Sequence, residues 1–533
     1  GTLAGVGFGI VMARAMAGYI GSLLADVYGI AQQAEHLEID PLLIGIAVAM
    51  GLITSLIAAV IPARNAAGVD PVKALQKGRY QSMSEGENRT RRRWALACAA
   101  ASVATLALNR YSLGFYAGFL LAVLSAVLLS PALAHWMARM MRPLFAWIRP
   151  VEGALAADSL IQAPRRTSGT VAALMLSLAL VISLSGVTRA SYDSIAEWMR
   201  IALNPDLFIS TAETVTSRSF VFPASLGPKL RAVAGIDDVQ LVRSVRVLVK
   251  KTPIMLVAVD IASLARHARL PAVEGDTGEM YRLAAEGKGV IASENFSRLH
   301  DCKLGETLDI PAPAGVLRMP VVGIVRDFSD QQGSLLLQRE LFIRYWNDDS
   351  VNVFRIYLTP GADGARVRQQ ILDTYGSQQR LFVLTNADLR RYIIRVTDQW
   401  FGLTYVQIAV AVLVAVLGIV NALTVSITDR RRELGVLQAV GGLRGQIRHT
   451  IWLEAIGVGL IGLALGMVLG AAQLYYTVEI ARRDLSGIEI AYVYPFKMAL
   501  ALVPVILAAA FLAAIGPAEA AVRATLVEAL EYE

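Results

Sequence analysis

The feature that most constrains this chain is a set of runs of about twenty apolar residues, the length a helix needs to cross a bilayer. Eight can be marked: 3–24, 42–62, 94–109, 115–136, 170–188, 404–427, 452–475 and 498–516. Only 17% of the residues are charged, against about 25% in an ordinary soluble domain, and the deficit sits in these runs. A purely soluble enzyme, a disordered chain and a nucleic-acid-binding domain are thereby excluded as accounts of the whole. The run 94–109 is the shortest and ends at Asn109-Arg110. A re-entrant or buried helix is the alternative there, but the topology needs it to span.

Basic residues collect on the cytoplasmic side of membrane proteins, and here they fix the orientation. The loop 63–93 carries Arg64, Lys73, Lys77, Arg79, Arg89, Arg91, Arg92 and Arg93. Segment 137–169 carries Arg139, Arg142, Arg149, Arg165 and Arg166, and loop 428–451 carries Arg430, Arg431, Arg432, Arg444 and Arg448. All three read as cytoplasmic. The loop 25–41 has Asp26, Glu35, Glu38 and Asp40 without Lys or Arg and reads as external. Eight spans then put residue 1 and the C-terminus inside and 189–403 outside. The acidic tail 518–533 runs against this, but acidic residues weigh little in the rule. The chain opens at Gly1 inside an apolar run, with no signal-peptide pattern, and is read as continuing from an earlier segment.

The insertion 189–403 is a different kind of sequence. Short β-rich runs (Val239–Val249, Ile254–Val259, Met319–Val325, Val351–Leu358) are separated by turn signals at Pro311-Ala312-Pro313 and Pro360-Gly361. Helical stretches intervene near 224–234, 364–375 and 386–403. The expectation is an α+β ectodomain, long enough to hold its own core. The helix 386–403 runs straight into the span 404–427.

Two tails correspond. Pro62-Ala63-Arg64-Asn65-Ala66-Ala67-Gly68-Val69-Asp70-Pro71-Val72-Lys73-Ala74-Leu75 aligns at one constant offset with Pro517-Ala518 through Ala529-Leu530. The spans before them are glycine-rich, with Gly5, Gly9 and Gly21 in one and Gly462, Gly466 and Gly470 in the other. Glycines four residues apart put the smallest side chains on one helix face, where backbones approach closely in lipid. Gly462, Gly466 and Gly470 are therefore candidate helix-packing residues, and the chain reads as two related modules.

The most informative segment is Asn421 to Gly442. A span ends, a basic cluster follows (Asp429-Arg430-Arg431-Arg432-Glu433), and Leu434, Leu437 and Gly441 share one face of a short helix that Gly441-Gly442 stops. A short helix thus lies at the cytoplasmic surface between two spans. Charge alone makes it an anchor.

Here the sequence resembles the FtsX-like permease family of ABC transporters. Arg431-Arg432-Glu433-Leu434-Gly435 with Ala439-Val440-Gly441, and Asn421 before them, resemble the family's signature, and Pro62…Asp70-Pro71-Val72-Lys73-Ala74-Leu75 resembles its tail. Ser293-Glu294 through Lys303-Leu304-Gly305-Glu306-Thr307-Leu308 and Val321-Val322-Gly323-Ile324-Val325 are similar to the MacB-like periplasmic domain. Gln438 stands where the family usually has a basic residue, and Thr525-Leu526 replaces Asp-Pro in the second tail.

The resemblance implies an α-helical integral membrane protein with an inserted α+β periplasmic domain and two FtsX-like permease modules, the first incomplete. On that reading 1–76 is the C-terminal part of the first module and 77–152 is a connector with two spans. Residues 153–188 open the second module, 189–403 form the ectodomain, and 404–533 form the second permease domain with a coupling helix at about 429–442. It further implies a bacterial inner-membrane location and a cytoplasmic ABC ATPase dimer as partner, coupled through Asp429, Arg430, Arg431, Arg432, Glu433, Gly435, Gly441 and Gly442. ATP and Mg would be bound by that ATPase, with no cofactor in this chain. The substrates implied are lipids, lipoproteins or antimicrobial peptides, with membrane lipid as surroundings. The alternative is a signalling role that activates a periplasmic protein such as a cell-wall hydrolase. No nucleic acid is implied.

No G-x-x-x-x-G-K-[ST] occurs, and Gly287-Lys288-Gly289 lacks the spacing that cradles phosphates. His300-Asp301-Cys302 reads as a turn before a strand rather than a nucleophile cluster. Two cysteines, Cys98 and Cys302, make no disulfide framework. His449 reads as an interfacial residue. Arg14, inside an apolar run, reads as snorkelling to the surface. Trp400, Phe401 and Tyr405 fit an aromatic belt at the outer interface.

Overall fold

The computed structural model describes residues 5–15, 17–18, 41–67, 85–108, 112–162, 164–211, 220–327, 329–330, 332–377, 381–429, 437, 439–482 and 491–523. The chain divides into two compact units. One comprises Gly1–Leu56, Ala190–Leu403 and Val478–Ala491; the other Ile57–Arg189, Thr404–Thr477 and Tyr492–Glu533.

The second unit is helical. Among the described residues, five helices are long and apolar enough to cross a membrane: Gly114–Ile148, Thr167–Ala202, Asn386–Asn421, Arg444–Ile480 and Phe496–Val522. They contain the runs expected at 115–136, 170–188, 452–475 and 498–516, and residues 404–421 of the run expected at 404–427. The runs 3–24 and 42–62 are not among the five: part of 3–24 is the short apolar helix Gly5–Ala15, and 42–62 lies in the helix Pro41–Ala67, whose apolar part Pro41–Leu56 is short. The run 94–109 is described as far as Leu108. It lies in the helix Glu85–Leu108, which is not one of the five. Arg89, Arg91, Arg92 and Arg93 fill its first half, and the apolar part from Trp94 onward is shorter than a bilayer requires.

Helices carry the membrane unit because a helix satisfies its own backbone hydrogen bonds where no water is present. Packing then depends on shape. A Cβ on Gly462 would lie 2.7 Å from Leu174 Cβ, one on Gly466 2.7 Å from Leu178 Cβ, and one on Gly470 2.7 Å from Ile182 Cβ. The glycine row of Arg444–Ile480 thus receives the Leu174, Leu178 and Ile182 ridge of Pro164–Ala202. Further along the relation reverses, with Gly186 receiving Leu474. Polar side chains close the same contacts: Ser183 Oγ and Thr477 Oγ1 are 2.8 Å apart, and Ser102 Oγ and Tyr476 Oη 2.7 Å. The Tyr476 ring also meets Phe115 and Phe119, at centroid distances of 5.1 and 5.6 Å. Leu120, Leu413, Leu417, Val468, Leu500 and Leu512 are exposed, as side chains facing acyl chains would be.

This packing makes a direct prediction. Gly466→Leu must push Leu178 aside and should cost about 1–3 kcal/mol, lowering the melting temperature of the detergent-purified protein by several degrees. Gly418→Leu, with nothing within 4 Å of its added Cβ, should leave the melting temperature unchanged. Equal melting of the two variants would refute the interlock.

The other unit holds the α+β domain. Its ten strands are β1 (Leu207–Ser210), β2 (Ile236–Val249), β3 (Thr252–Val259), β4 (Ala272–Glu274), β5 (Val290–Ser293), β6 (Thr307–Ala312), β7 (Gly315–Val325), β8 (Ser334–Gln338), β9 (Val353–Leu358) and β10 (Phe382–Thr385). They form one mixed sheet in the order β10-β1-β9-β2-β3-β8-β5-β7-β4, with β6 paired to β7. The pairs β3–β8 and β5–β7 are parallel. The strand β2 organises the sheet: residues from Ile236 to Val242 pair with β9 and those from Arg243 to Val249 with β3. The apolar run Ile254–Val259 is uninterrupted because both faces of β3 are covered. Ile254, Leu256 and Ala258 enter one core with Val290, Phe296, Leu335 and Phe342; Met255, Val257 and Val259 enter another with Leu264, Met280 and Ile291. A third core, around Leu207, Ile209, Phe354, Ile356 and Ile371, lies under the other end of the sheet.

The helices Pro164–Ala202 and Asn386–Asp429 have residues in both units. Within the ectodomain unit, their segments 190–202 and 386–403 pair. Asn386 Nδ2 donates to the carbonyl oxygens of Leu203 and Pro205, at 2.6 and 2.8 Å. Thr385 caps the start of the second helix: its Oγ1 accepts from the Asp388 N–H at 3.1 Å, and Asp388 Oδ2 accepts from the Thr385 N–H at 3.0 Å, a reciprocal capping box. Met199, Leu203, Phe208, Val353 and Leu389 pack together beneath. Tyr192 donates to Asp398, and its ring meets Phe401 at 5.4 Å.

Two carboxylates tie the sheet to its helices. Burial pushes Asp238 upward, but hydrogen bonds from Ser263 Oγ (2.9 Å), the Val239 N–H (2.8 Å) and His267, together with Arg231, more than offset this and hold it below the usual range. Asp348 is lowered likewise: burial raises it, while Ser350 and Arg243 outweigh burial. A carboxylate lowered in the fold adds stability that is present above its unfolded pKa of about 4 and lost as the pH falls through the lower folded value. Asp238→Asn should therefore cost about 1–2 kcal/mol at neutral pH. The difference from wild type should shrink as the pH falls through and below the usual carboxylate range, read by hydrogen exchange across β2 and β9 in the full chain. A cost that persists unchanged in acid would show that the charge is not involved.

Candidate functional site

The segment expected to couple to a partner lies between the helices Asn386–Asp429 and Arg444–Ile480. Asp429 closes the first of these. Arg430, Arg431, Arg432, Glu433 and Gly435 lie outside the described residues, as does Leu434. Leu437 is described, and the chain again from Ala439. Gly442 N–H donates to the Leu437 carbonyl at 2.8 Å, and Gly441 between them has φ +99°. This is the six-to-one bond with a left-handed residue that ends helices at glycine, so the two glycines act as a stop through their backbone. The next helix starts at once: Gln446 Oε1 accepts from the Leu443 N–H at 3.0 Å, the Gln half of a capping box, and Gln446 N–H donates to the Leu443 backbone carbonyl at 2.9 Å.

The turn presents apolar side chains outward. Val440 is 83% exposed and Leu443 67%, with Leu437 beside them. An isolated exposed leucine means little, but a tight turn that aims three at solvent is a surface to be covered. Behind it, Arg448 Nη2 meets Glu519 Oε2 at 3.0 Å, joining Arg444–Ile480 to Phe496–Arg523. His449 lies against Trp452, edge to face at 5.4 Å, and Trp452 against Phe511 at 4.9 Å. Sequence reading located the glycine stop but missed Gln446 and the outward Val440-Leu443 pair. The signal was there: a Gln three residues after a helix start completes a box.

The remaining singled-out residues fall as follows. Gly462, Gly466 and Gly470 line the helix interface described above. Arg14 is exposed. Phe401 stacks on Tyr192, Tyr405 is exposed, and the Trp400 side chain lies outside the described residues. In the ectodomain, Asp301 has φ +44° in the turn before β6. His300 Nε2 lies 3.1 Å from the Gln332 carbonyl. Burial, with the Glu306 charge, pushes the Cys302 thiol up to about 11, so at neutral pH it is a protonated, buried packing group. Iodoacetamide should leave Cys302 unmodified in a native Cys98→Ser protein at pH 8 and label it after unfolding; rapid native labelling would contradict this.

Sequence reading also missed a polar island in the ectodomain interior. Arg355, on β9, is a charged residue in an otherwise apolar strand. Burial lowers its pKa against the opposing effect of Tyr357 and Asp327. Its guanidinium has one hydrogen-bond partner among the described residues, Gln240 Oε1 at 3.3 Å. Burial likewise pushes the Tyr357 hydroxyl up to about 12, and its ring stacks on His267 at 3.7 Å.

With this geometry in hand, the comparison with known proteins is decisive for one region. Residues 405–526 match the FtsX-like permease C-terminal domain. The chain carries an FtsX-like permease domain. Together with the five long apolar helices this makes it a multi-pass membrane protein. The exposed Val440-Leu443 turn and the glycine interface both belong to the FtsX-like domain. The chain is 24% identical over 359 residues to an uncharacterized ABC transporter permease protein of Mycobacterium tuberculosis, covering 66% of this chain and 41% of that protein. It is 38% identical over 111 residues to the macrolide export ATP-binding/permease protein MacB of Bordetella avium, covering 21% and 17%. With MacB of Sodalis glossinidius it shares 27% over 224 residues, covering 39% and 33%. The chain therefore spans less than half the length of each of these relatives. Among solved structures, the periplasmic region of MacB from Actinobacillus actinomycetemcomitans covers 37% of this chain at 12% identity and a TM-score of 0.28.

Proposed function

We propose that this chain is the permease component of an ABC transporter, moved by a separate cytoplasmic ATPase dimer that grips the segment 429–442. The observation that carries the reading is the FtsX-like domain at 405–526 with its outward apolar turn. The basic cluster Arg430-Arg431-Arg432 with Glu433 supplies charge for docking, and Val440 and Leu443 supply the apolar surface that a hydrophobic interface centre needs. Gly441 and Gly442 keep the turn tight, so force on it passes to both flanking helices. One of those, Asn386–Asp429, is unbroken from the membrane unit into the ectodomain unit, which supports motion of the periplasmic domain as the output. ATP and Mg would be held by the partner. The membrane is the bacterial inner membrane, with the C-terminus cytoplasmic and 189–403 periplasmic. The substrate class is hydrophobic: a lipid, lipoprotein or antimicrobial peptide. The relatives named macrolide export ATP-binding/permease proteins join both activities in one name. Here the nucleotide chemistry is assigned to an ABC ATPase that acts on this segment.

The test is ATP hydrolysis by the chain co-reconstituted in nanodiscs with the ABC ATPases of its source organism. An ATPase that binds the wild type should lose binding or stimulation about tenfold with Val440→Asp or Glu433→Lys. Val440 is exposed, so its change should leave the fold intact, checked by an unchanged melting temperature. Failure of every ATPase to associate with the wild type would overturn the permease reading.

A further inference from the structure

Within the ectodomain unit, beside the paired segments 190–202 and 386–393, lies a cavity of about 270 Å³. Its wall is mostly apolar, with Met255, Val257, Leu264 and Leu336 from the sheet side and Leu203 and Leu389 from the paired segments. The volume lies near the small end of ligand pockets, which combine an apolar lining with a few placed polar groups.

Asp327, Arg355 and Tyr392 are three of the polar groups on the lining, and the first two carry its charge. Asp327 is already engaged: Oδ1 accepts from Ser329 Oγ at 2.5 Å and the Ser329 N–H at 3.1 Å, and Oδ2 accepts from Ser334 Oγ at 2.5 Å. Arg355 is not engaged to the same degree. It is half-buried, and among the described residues it makes no ion pair within 4.0 Å and one hydrogen bond, to Gln240 at 3.3 Å. The buried Tyr392 Oη has no hydrogen-bond partner among the described residues. Buried donors without acceptors are costly. Tyr392 Oη is left to donate, the Asp327 oxygens are taken up by Ser329 and Ser334, and an acceptor carrying negative charge complements the Arg355 guanidinium.

We propose that this cavity binds a medium-chain carboxylate, its headgroup on Arg355 and Tyr392 and its acyl chain among Met255, Val257, Leu264 and Leu336. A guest held between the sheet and both paired segments would favour their paired arrangement over any other, by as much as its affinity differs between the two. The site does not depend on the permease reading, because it is defined by binding alone and is measured without an ATPase.

The experiment uses the full chain in nanodiscs with carboxyl-¹³C decanoate as probe and decanol as the uncharged control. The expected result is a saturable resonance, one per chain, absent from empty nanodiscs, with decanol binding about tenfold or more weakly. Arg355→Met should weaken decanoate about tenfold to hundredfold while leaving decanol unchanged, and Arg355→Lys should restore part of the loss. Val257→Trp, which fills the cavity, should abolish binding of both probes. Partitioning into the bilayer alone, or equal affinity for decanoate and decanol, would overturn the proposal. Should Arg355→Met fail to fold, the wild-type decanoate-to-decanol ratio and the Val257→Trp result still decide it.

Discussion

The paired helix ends at Asn386 set the terms for the rest of the molecule. One helix stops near Leu203 and the other starts at Asn386, and the Asn386 amide donates to two carbonyls at the end of the first. A helix end leaves carbonyls without partners. Here the start of the next helix satisfies them, so the ectodomain is inserted between two points that chemistry holds together. That constraint explains how a ten-stranded domain occupies a loop between spans. Its entry and exit coincide, and β1 and β10, the first and last strands, are neighbours in register from Leu207↔Thr385 to Ser210↔Phe382. The insertion closes on itself before the chain re-enters the apolar helix.

Much of this was legible because two periodicities differ so sharply. Continuous apolar runs mark spans, and shorter β-branched runs mark strands. The strand run Ile254–Val259 and the helix at 364–375 appear almost residue for residue as β3 and Gly364–Tyr375. The membrane class needed nothing beyond run length. The run 94–109 shows where that criterion weakens. A basic cluster and an apolar stretch joined into one helix, and the apolar part alone is too short for a bilayer.

What sequence could not supply was pairing. Four-residue glycine spacing identifies a face but not its partner, and the partner ridge Leu174, Leu178 and Ile182 lies almost three hundred residues away. Ser183 and Thr477 are ordinary residues in their own runs and become a hydrogen-bonded pair only in the fold. Arg355 is the sharpest case. In sequence it is one charge in a strand, indistinguishable from a solvent-facing residue. In the structure its strand lies between β1 and β2, so no register position on β9 reaches an open edge. The cost of a poorly paired guanidinium there is visible only once its neighbours are known.

The two halves solve opposite problems with one kind of connection. In the membrane unit, association rests on close approach of small residues, since lipid offers apolar side chains no advantage in leaving it. In the ectodomain, burial of Phe296, Phe342 and Phe354 from water drives assembly. A helix common to both must satisfy each environment in turn. Asn386–Asp429 does so by carrying its polar residues in the ectodomain segment, where Arg390 and Arg391 find Met199, Leu203 and Asp388, and by becoming apolar through 408–420. Its stiffness comes from an unbroken hydrogen-bond ladder rather than from side chains, so it loses little where the surroundings change. The capping box at Thr385 and Asp388 satisfies the backbone at one end. The other end is Asp429, and the described chain resumes at Leu437 with the glycine stop at Gly441 and Gly442.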